Sequence, residues 1–180
     1  MSGCAISVKS EQEIWLIGGS GSNANALNRI LCFNVNEHTF KTLNFQLKIG
    51  RFGHNCAFIP NTNKIMITGG CSTYSDVNNI VHVECLDSTE ILDTEDGTIT
   101  KGSSMNFKRY GNGMDVVTIN GEDRLAVFGG STGERDLDCV EFYNIHSKKW
   151  EISSIKMKEP KKCFGFLSMK LNLANQLLNL

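Results

Sequence analysis

Three short apolar runs along the chain each end in a glycine pair: Ile14–Gly19 (Ile-Trp-Leu-Ile-Gly-Gly), Ile65–Gly70 (Ile-Met-Ile-Thr-Gly-Gly) and Leu125–Gly130 (Leu-Ala-Val-Phe-Gly-Gly). Each run is rich in β-branched and bulky residues and is bounded by turn residues, the mark of a strand with little exposed surface. The doublets Gly18-Gly19, Gly69-Gly70 and Gly129-Gly130 recur at 51 and then 60 residues. Other landmarks keep the same order around them. Arg51-Phe52-Gly53-His54 and Arg109-Tyr110-Gly111-Asn112 precede the second and third runs, and Lys162-Cys163-Phe164-Gly165 is a weaker echo. Downstream, each unit has a strand, a polar turn opening on Asn or Asp, and a bulky residue six positions on: Asn34 with Phe40, Asp93 with Ile99, Asn144 with Trp150. Fixed order at a period in the fifties is an internal repeat.

Each unit reads as four short strands. In the third they are predicted at Gly113–Ile119, Arg124–Phe128, Cys139–Ile145 and Trp150–Ser154, with Asn120-Gly121 as a hairpin turn. No segment before Leu167 has a helical period. A β-sandwich has no reason to repeat its glycine pairs and a parallel β-helix has a far shorter repeat. A four-stranded unit of 50 to 60 residues is therefore expected to be a propeller blade.

On these residues, together with the Val140-Glu141-Phe142-Tyr143-Asn144 strand and Trp150, the chain resembles the kelch-repeat family. The second unit departs from the family pattern with Leu92 and Ile99 for its aromatic pair, and the first has Leu31 where Glu90 and Glu141 stand. The resemblance implies an all-β, partial kelch-type propeller in which the glycine-ended strand is second from the axis. The expected units are blade 1 at about 3–49, blade 2 at about 50–107, blade 3 at about 108–159, and an incomplete blade 4, its first hairpin, at about 160–180. Gly3-Cys4-Ala5-Ile6 matches Gly53-His54-Asn55-Cys56, so the chain is expected to start at the first strand of a blade. At the other end, Asn175–Leu180 aligns with the second glycine-ended strand, while Leu167, Leu171, Ala174 and Leu178 also keep helical spacing; strand and helix both remain open.

The repeated residues have structural assignments. Glycine doublets suit places where backbones approach without room for a Cβ. Phe40, Ile99 and Trp150 are expected to pack between neighbouring blades, burying about 2–3 kcal/mol each. Glu90 and Glu141 are expected to pair with Arg51 and Arg109 across blades. What differs between repeats is the loop after each doublet. Glu90 follows Gly70 by 20 residues, whereas Glu141 follows Gly130 by 11, so the second loop is the longest candidate for a recognition element. The candidate partner-binding residues are Ser72, Tyr74, Asp76, Asn78 and Asn79 there, with Arg135 and Asp136 in the third loop.

Charge narrows the partners. The 18 Lys and Arg against 19 Asp and Glu leave no basic excess for nucleic acid. Lys148, Lys149, Lys156, Lys158, Lys161 and Lys162 are interspersed with Glu151 and Glu159 and read as a solvated edge. Lys9, Glu11 and Glu13 interrupt any signal-peptide core, and no membrane-length apolar stretch occurs. Seven cysteines standing singly, without a CxxC pair, signal neither a zinc site nor a disulfide framework and suggest a reducing setting, cytoplasmic or nuclear. His38, His54, His82 and His146 show no metal-ligand spacing, and no catalytic serine elbow or phosphate loop is present. No catalytic residue, cofactor or metal is expected.

The expected function is therefore a protein–protein interaction module. The resemblance implies substrate recruitment as in the kelch adaptors of Cullin-type ubiquitin ligases, where a BTB domain stands N-terminal to the propeller; residues before Ile14 are too few for one here. Actin binding, known for some relatives, is the alternative, and a metal-dependent propeller enzyme a more distant one. Closed propellers have at least four blades. The reading thus leaves open a fragment, an open arc, or two copies self-associating through open blade faces.

Overall fold

The computed structural model describes residues 3–163, and all of their regular structure is β. The strands are β1 Ala5–Val8, β2 Glu13–Ile17, β3 Arg29–Asn34, β4 Thr39–Gln46, β5 Asn55–Phe58, β6 Lys64–Thr68, β7 Cys71–Ser75, β8 Val81–Cys85, β9 Thr89–Asp93, β10 Ile99–Lys101, β11 Gly113–Ile119, β12 Glu122–Phe128, β13 Cys139–Asn144 and β14 Lys149–Lys156. They form three four-stranded antiparallel sheets, β1-β2-β3-β4, β5-β6-β9-β10 and β11-β12-β13-β14, plus a separate hairpin, β7-β8. The three sheets are the expected blades. The expected hairpin of a fourth, and the strand-or-helix question at 171–180, lie outside the described residues.

The turns follow from local chemistry. Asn120 and Gly121 both take positive φ (52° and 82°), as a two-residue turn between right-twisted strands requires. The Asn or Asp opening each outer turn folds its carboxamide or carboxylate back onto the backbone: Asn34 Oδ1 accepts from the amides of Asn36 and Glu37, Asp93 Oδ1 from Glu95, and Asn144 Oδ1 from His146 and Ser147.

Two apolar layers lie between the three blades. The first joins Trp15, Ile17, Ile30 and Cys32 of blade 1 to Ile65, Ile67 and Leu92 of blade 2, with Phe45 and Ile99 against them. The second joins Met66 and Met105 to Leu125, Val127, Tyr143 and Trp150, the two aromatics tilted at 5.2 Å between centroids. Strand alternation explains the division. Ile65 and Ile67 face backward to blade 1 while Met66, between them, faces forward to blade 3.

Ile99 and Trp150 thus pack between blades as expected, and Phe40 does not. Phe40 is 62% exposed. Its cross-strand row runs Phe40, Phe33, Ile14, Val8, and the next runs Thr42, Leu31, Leu16, Ile6. These are the backward-facing positions of blade 1, equivalent to those that blades 2 and 3 bury. No described blade stands behind them.

Candidate partner-binding face

In each sheet the start of the first strand, the end of the second, the start of the third and the end of the fourth share one end. The glycine doublets, the inter-blade connectors and the variable loops therefore meet there. All six doublet glycines have positive φ, between 55° and 99°. The reason is a crossing: Gly19 N–H donates to Arg51 O, Gly70 N–H to Arg109 O and Gly130 N–H to Lys161 O, each at 2.8 Å. A Cβ built on Gly18 or Gly129 would lie 2.6 Å from the same carbonyls. The doublets let the connector into the next blade cross flush against the sheet.

A second ladder runs from blade to blade. Gly53 N–H donates to Gly3 O, Gly111 N–H to Gly53 O and Cys163 N–H to Gly111 O, each at 2.7 Å. This corrects the fourth echo: Cys163, at φ +54°, takes the glycine position, and Lys161-Lys162 take the places of Arg51-Phe52 and Arg109-Tyr110.

The arginine–glutamate pairs form, but they do not bridge two sheets. Arg51 Nη2 donates to Glu90 Oε1 at 2.9 Å, and its Nη1 to the carbonyls of Gly69 and Ser88. Both side chains are buried, the guanidinium completely. The other work of Glu90 is to accept from the amides of Lys48 (2.7 Å) and Ile49 (3.2 Å) in the connector arriving from blade 1. Glu141 repeats this, accepting from Arg109 Nη2 and from Asn106 N and Nδ2 in the next connector. Each pair clamps the incoming connector onto its blade. Burial lowers the Arg51 pKa, against the opposing pull of Glu90. Blade 1 has Leu31 at the clamp position.

His54 and Asn112 pack beneath the doublets of their own blades, against Gly70 and Gly130. The His54 ring is fully enclosed, and the carbonyls of Ile17 and Arg51 face it without completing a hydrogen bond. Burial, then the charge of Arg51, pushes its pKa down to about 3, so the ring is neutral.

On this framework the long second loop is a hairpin, β7-β8, a departure from the loop expected. Its base is pinned by reciprocal bonds between Phe52 and Cys71, at 2.8 and 2.9 Å. Its side is tied to blade 1, Ala26 N–H donating to Thr73 Oγ1 at 2.9 Å. Its tip closes on Asp76, whose Oδ1 accepts from Asn78 N and Ile80 N while Asn79 turns at φ +61°. Asp76 Oδ2 also meets His82 Nε2 at 3.0 Å, and His82 stacks on Tyr74. The His82 bond, first, and those amides hold the Asp76 carboxyl below its ordinary pKa.

The predicted partner-binding residues divide accordingly. Tyr74, Asn78 and Asn79 are exposed on the hairpin, whereas Ser72 is half-buried and Asp76 builds the turn. Arg135 and Asp136 lie exposed in the neighbouring loop, Asp136 paired with Lys162 at 3.1 Å. Sequence reading missed the apolar surface of the hairpin. Val77 is 97% exposed, and Ile80, Val81 and Val83 are each more than half exposed. The signal was there: Val81-His82-Val83-Glu84 alternates after an Asp/Asn turn, as a hairpin arm does. It also missed a neighbourhood. Cys71 and Cys85 are 14 residues apart and directly opposed, with their sulfurs 3.5 Å apart, so they do not stand singly.

Elsewhere, a cleft of about 1240 Å³ opens at the opposite end, between the turns at Asn61 and Gly121 and the His146 turn. It gathers none of the predicted residues. Among the described residues no three His, Cys, Asp or Glu side chains are grouped to share a metal ion, and no helix is long and apolar enough to cross a membrane. Within the lysine-rich edge, Lys156, Lys161 and Lys162 pair with Asp138, Glu159 and Asp136.

Four-stranded antiparallel blades, doublets crossed by the next connector and a variable loop on each blade define a kelch-type propeller of the kind used as an interaction module. The family model of the KLHDC2/KLHL20/DRC7 Kelch-repeats domain matches residues 1–175, and the chain belongs to that kelch-repeat family. Comparison with curated proteins gives no match.

Proposed function

We propose that this chain recognises a protein partner through the β7-β8 hairpin and the flanking loops at 20–28 and 131–137. The carrying observation is the exposed apolar ridge of Val77, Ile80, Val81 and Val83 on a hairpin fixed at its tip, side and base. Exposed apolar residues clustered on a rigid support mark an interaction surface, because leaving them in water has no structural return. On the opposite face of the hairpin Tyr74, stacked on His82, adds an exposed amphipathic ring, a residue type enriched among interface hot spots. The role that fits is recruitment, as in the kelch adaptors of Cullin-type ubiquitin ligases, with any catalysis supplied by an associated subunit. The free thiols and balanced charge fit a cytoplasmic or nuclear setting.

The test replaces Val77 and Val81 with Asp in the full chain. Both side chains are exposed, so thermal stability is expected to hold while affinity for captured partners falls about 30-fold or more. An unchanged, quantified partner set would make the hairpin a passive insertion.

A further inference from the structure

We infer that Cys71 and Cys85 form a reversible dithiol–disulfide pair that locks the base of the hairpin. The inference concerns regulation of the proposed binding surface and rests on that reading, but the chemistry can be tested without any partner.

Backbone geometry comes first. Cys71 exchanges both of its backbone hydrogen bonds with Phe52, so its N–H and C=O point away from β8. Opposite Cys85 it is therefore a non-hydrogen-bonded cross-strand pair, the kind whose Cα atoms approach to about 4.5 Å with side chains closest. Disulfides span Cα separations of about 4.4–6.8 Å, so the strands need not move. The sulfurs already touch at 3.5 Å and need only side-chain rotation to reach the bonding distance of about 2.05 Å. Phe52 on one side and Leu86, whose amide donates to Gly70 O, on the other hold this register.

The environments of the two thiols set the order of events. Cys71 is buried, and burial, then its hydrogen bond with Cys85, pushes its pKa up to about 12. It does not open the reaction. Cys85 is half-buried and the more accessible of the two, so an external disulfide reaches its sulfur first.

With a low-molecular-weight disulfide such as oxidised glutathione as oxidant, the Cys85 thiolate attacks one of its sulfurs. A mixed disulfide forms and one glutathione leaves as thiolate, which takes a proton. Cys71 then loses its proton to solvent, its sulfur bonds to Cys85 Sγ, and the second glutathione leaves and is protonated. The protein is oxidised by two electrons, the small disulfide is reduced to two thiols, and no other reactant is needed. Excess reduced glutathione or dithiothreitol runs it backward.

The experiment equilibrates the full chain in a series of reduced-to-oxidised glutathione ratios, blocks free thiols, and maps disulfides by non-reducing peptide mass spectrometry. The expected result is a Cys71–Cys85 cross-linked peptide that rises with oxidation, falls on return to reducing buffer, and accompanies slower amide exchange over Thr73–Val83. C71S is expected to trap glutathione on Cys85, whereas C85S leaves Cys71 unmodified. The inference is overturned if both thiols still alkylate at the most oxidising ratio, or if the wild type stops at glutathione on Cys85. Substituting Val77 and Val81 leaves this readout unchanged, so failure of the binding reading and failure of the disulfide are separate results.

Discussion

Replacing Glu141 with Leu, the residue blade 1 carries at its own clamp position, tests what the connector clamps contribute. Glu141 is fully buried and accepts three hydrogen bonds, from Arg109 Nη2, Asn106 N and Asn106 Nδ2. Its removal leaves Arg109, also fully buried, with the Gly129 carbonyl and the Cys139 sulfur as acceptors for its Nη atoms and no carboxylate. An uncompensated buried charge costs about 3–5 kcal/mol, and the orphaned amides belong within that figure at about 1–3 kcal/mol. For a chain of this size about 4 kcal/mol is roughly a 10 °C fall in Tm. The second variant is E141L/R109M. With the arginine gone no charge is stranded, so about half of the loss is expected to return; the Asn106 amides still lack their acceptor. Urea unfolding monitored by Trp fluorescence reads both variants, with m-values checked for constancy. If E141L costs less than about 1 kcal/mol, or if E141L/R109M is no more stable than E141L, the clamp is not a coupled charge pair and the reasoning fails.

His54 makes stability fall in mild acid. The folded ring titrates near 3 and the unfolded one near 6.5. Above pH 6.5 neither state is protonated; between 6.5 and 3 the unfolded chain takes up a proton the folded one refuses, so stability drops by about 1.4 kcal/mol per pH unit as pH falls. H54N, which installs the Asn112 of blade 3, is expected to flatten this slope between pH 6.5 and 5 in urea titrations, and parallel wild-type and H54N curves would remove His54 as its source. Gly69→Ala is expected to cost at least about 3 kcal/mol, since its φ is +64° and a Cβ would collide with Arg109 O. Gly121→Ala, with φ +82° and nothing within 4 Å, is the control and should lose only about 1 kcal/mol. Equal losses at both sites would mean that strain, not the crossing connector, accounts for the doublet.

The blades were legible because their requirements are local. Gly69 and Gly129 are demanded by backbone conformation, Asn34 and Asn144 by the turns they close, and alternation divides Ile65 from Met66. The arginine–glutamate partnership was legible as a pairing of types, but its geometry was not. That Glu90 also holds Lys48 and Ile49 depends on where a connector passes, which no side-chain pattern encodes. The fourth echo slipped because Cys163 occupies a position that elsewhere demands glycine. At the candidate site the loop's excess length and Tyr74 were visible. The apolar ridge was not singled out, because Val77 and Val81 look like core residues until a structure shows nothing covering them. Cys71 and Cys85 met only through the hairpin's register.

The connector clamps also impose an order in time. Arg51 is synthesised 39 residues before Glu90, and Arg109 32 residues before Glu141. At about 5–20 residues per second, each guanidinium waits on the order of 2–8 s for its carboxylate. During that interval the emerging chain holds a cation that cannot yet be buried, and the half-made blade cannot close on the one before it. The moments of commitment on the ribosome therefore fall where Glu90 and Glu141 clear the exit tunnel, in the third strand of a blade and not at its boundary. A pause once those two glutamates have left the tunnel would leave a sealed junction exposed to the cell; a pause while they are still inside it would leave an open one.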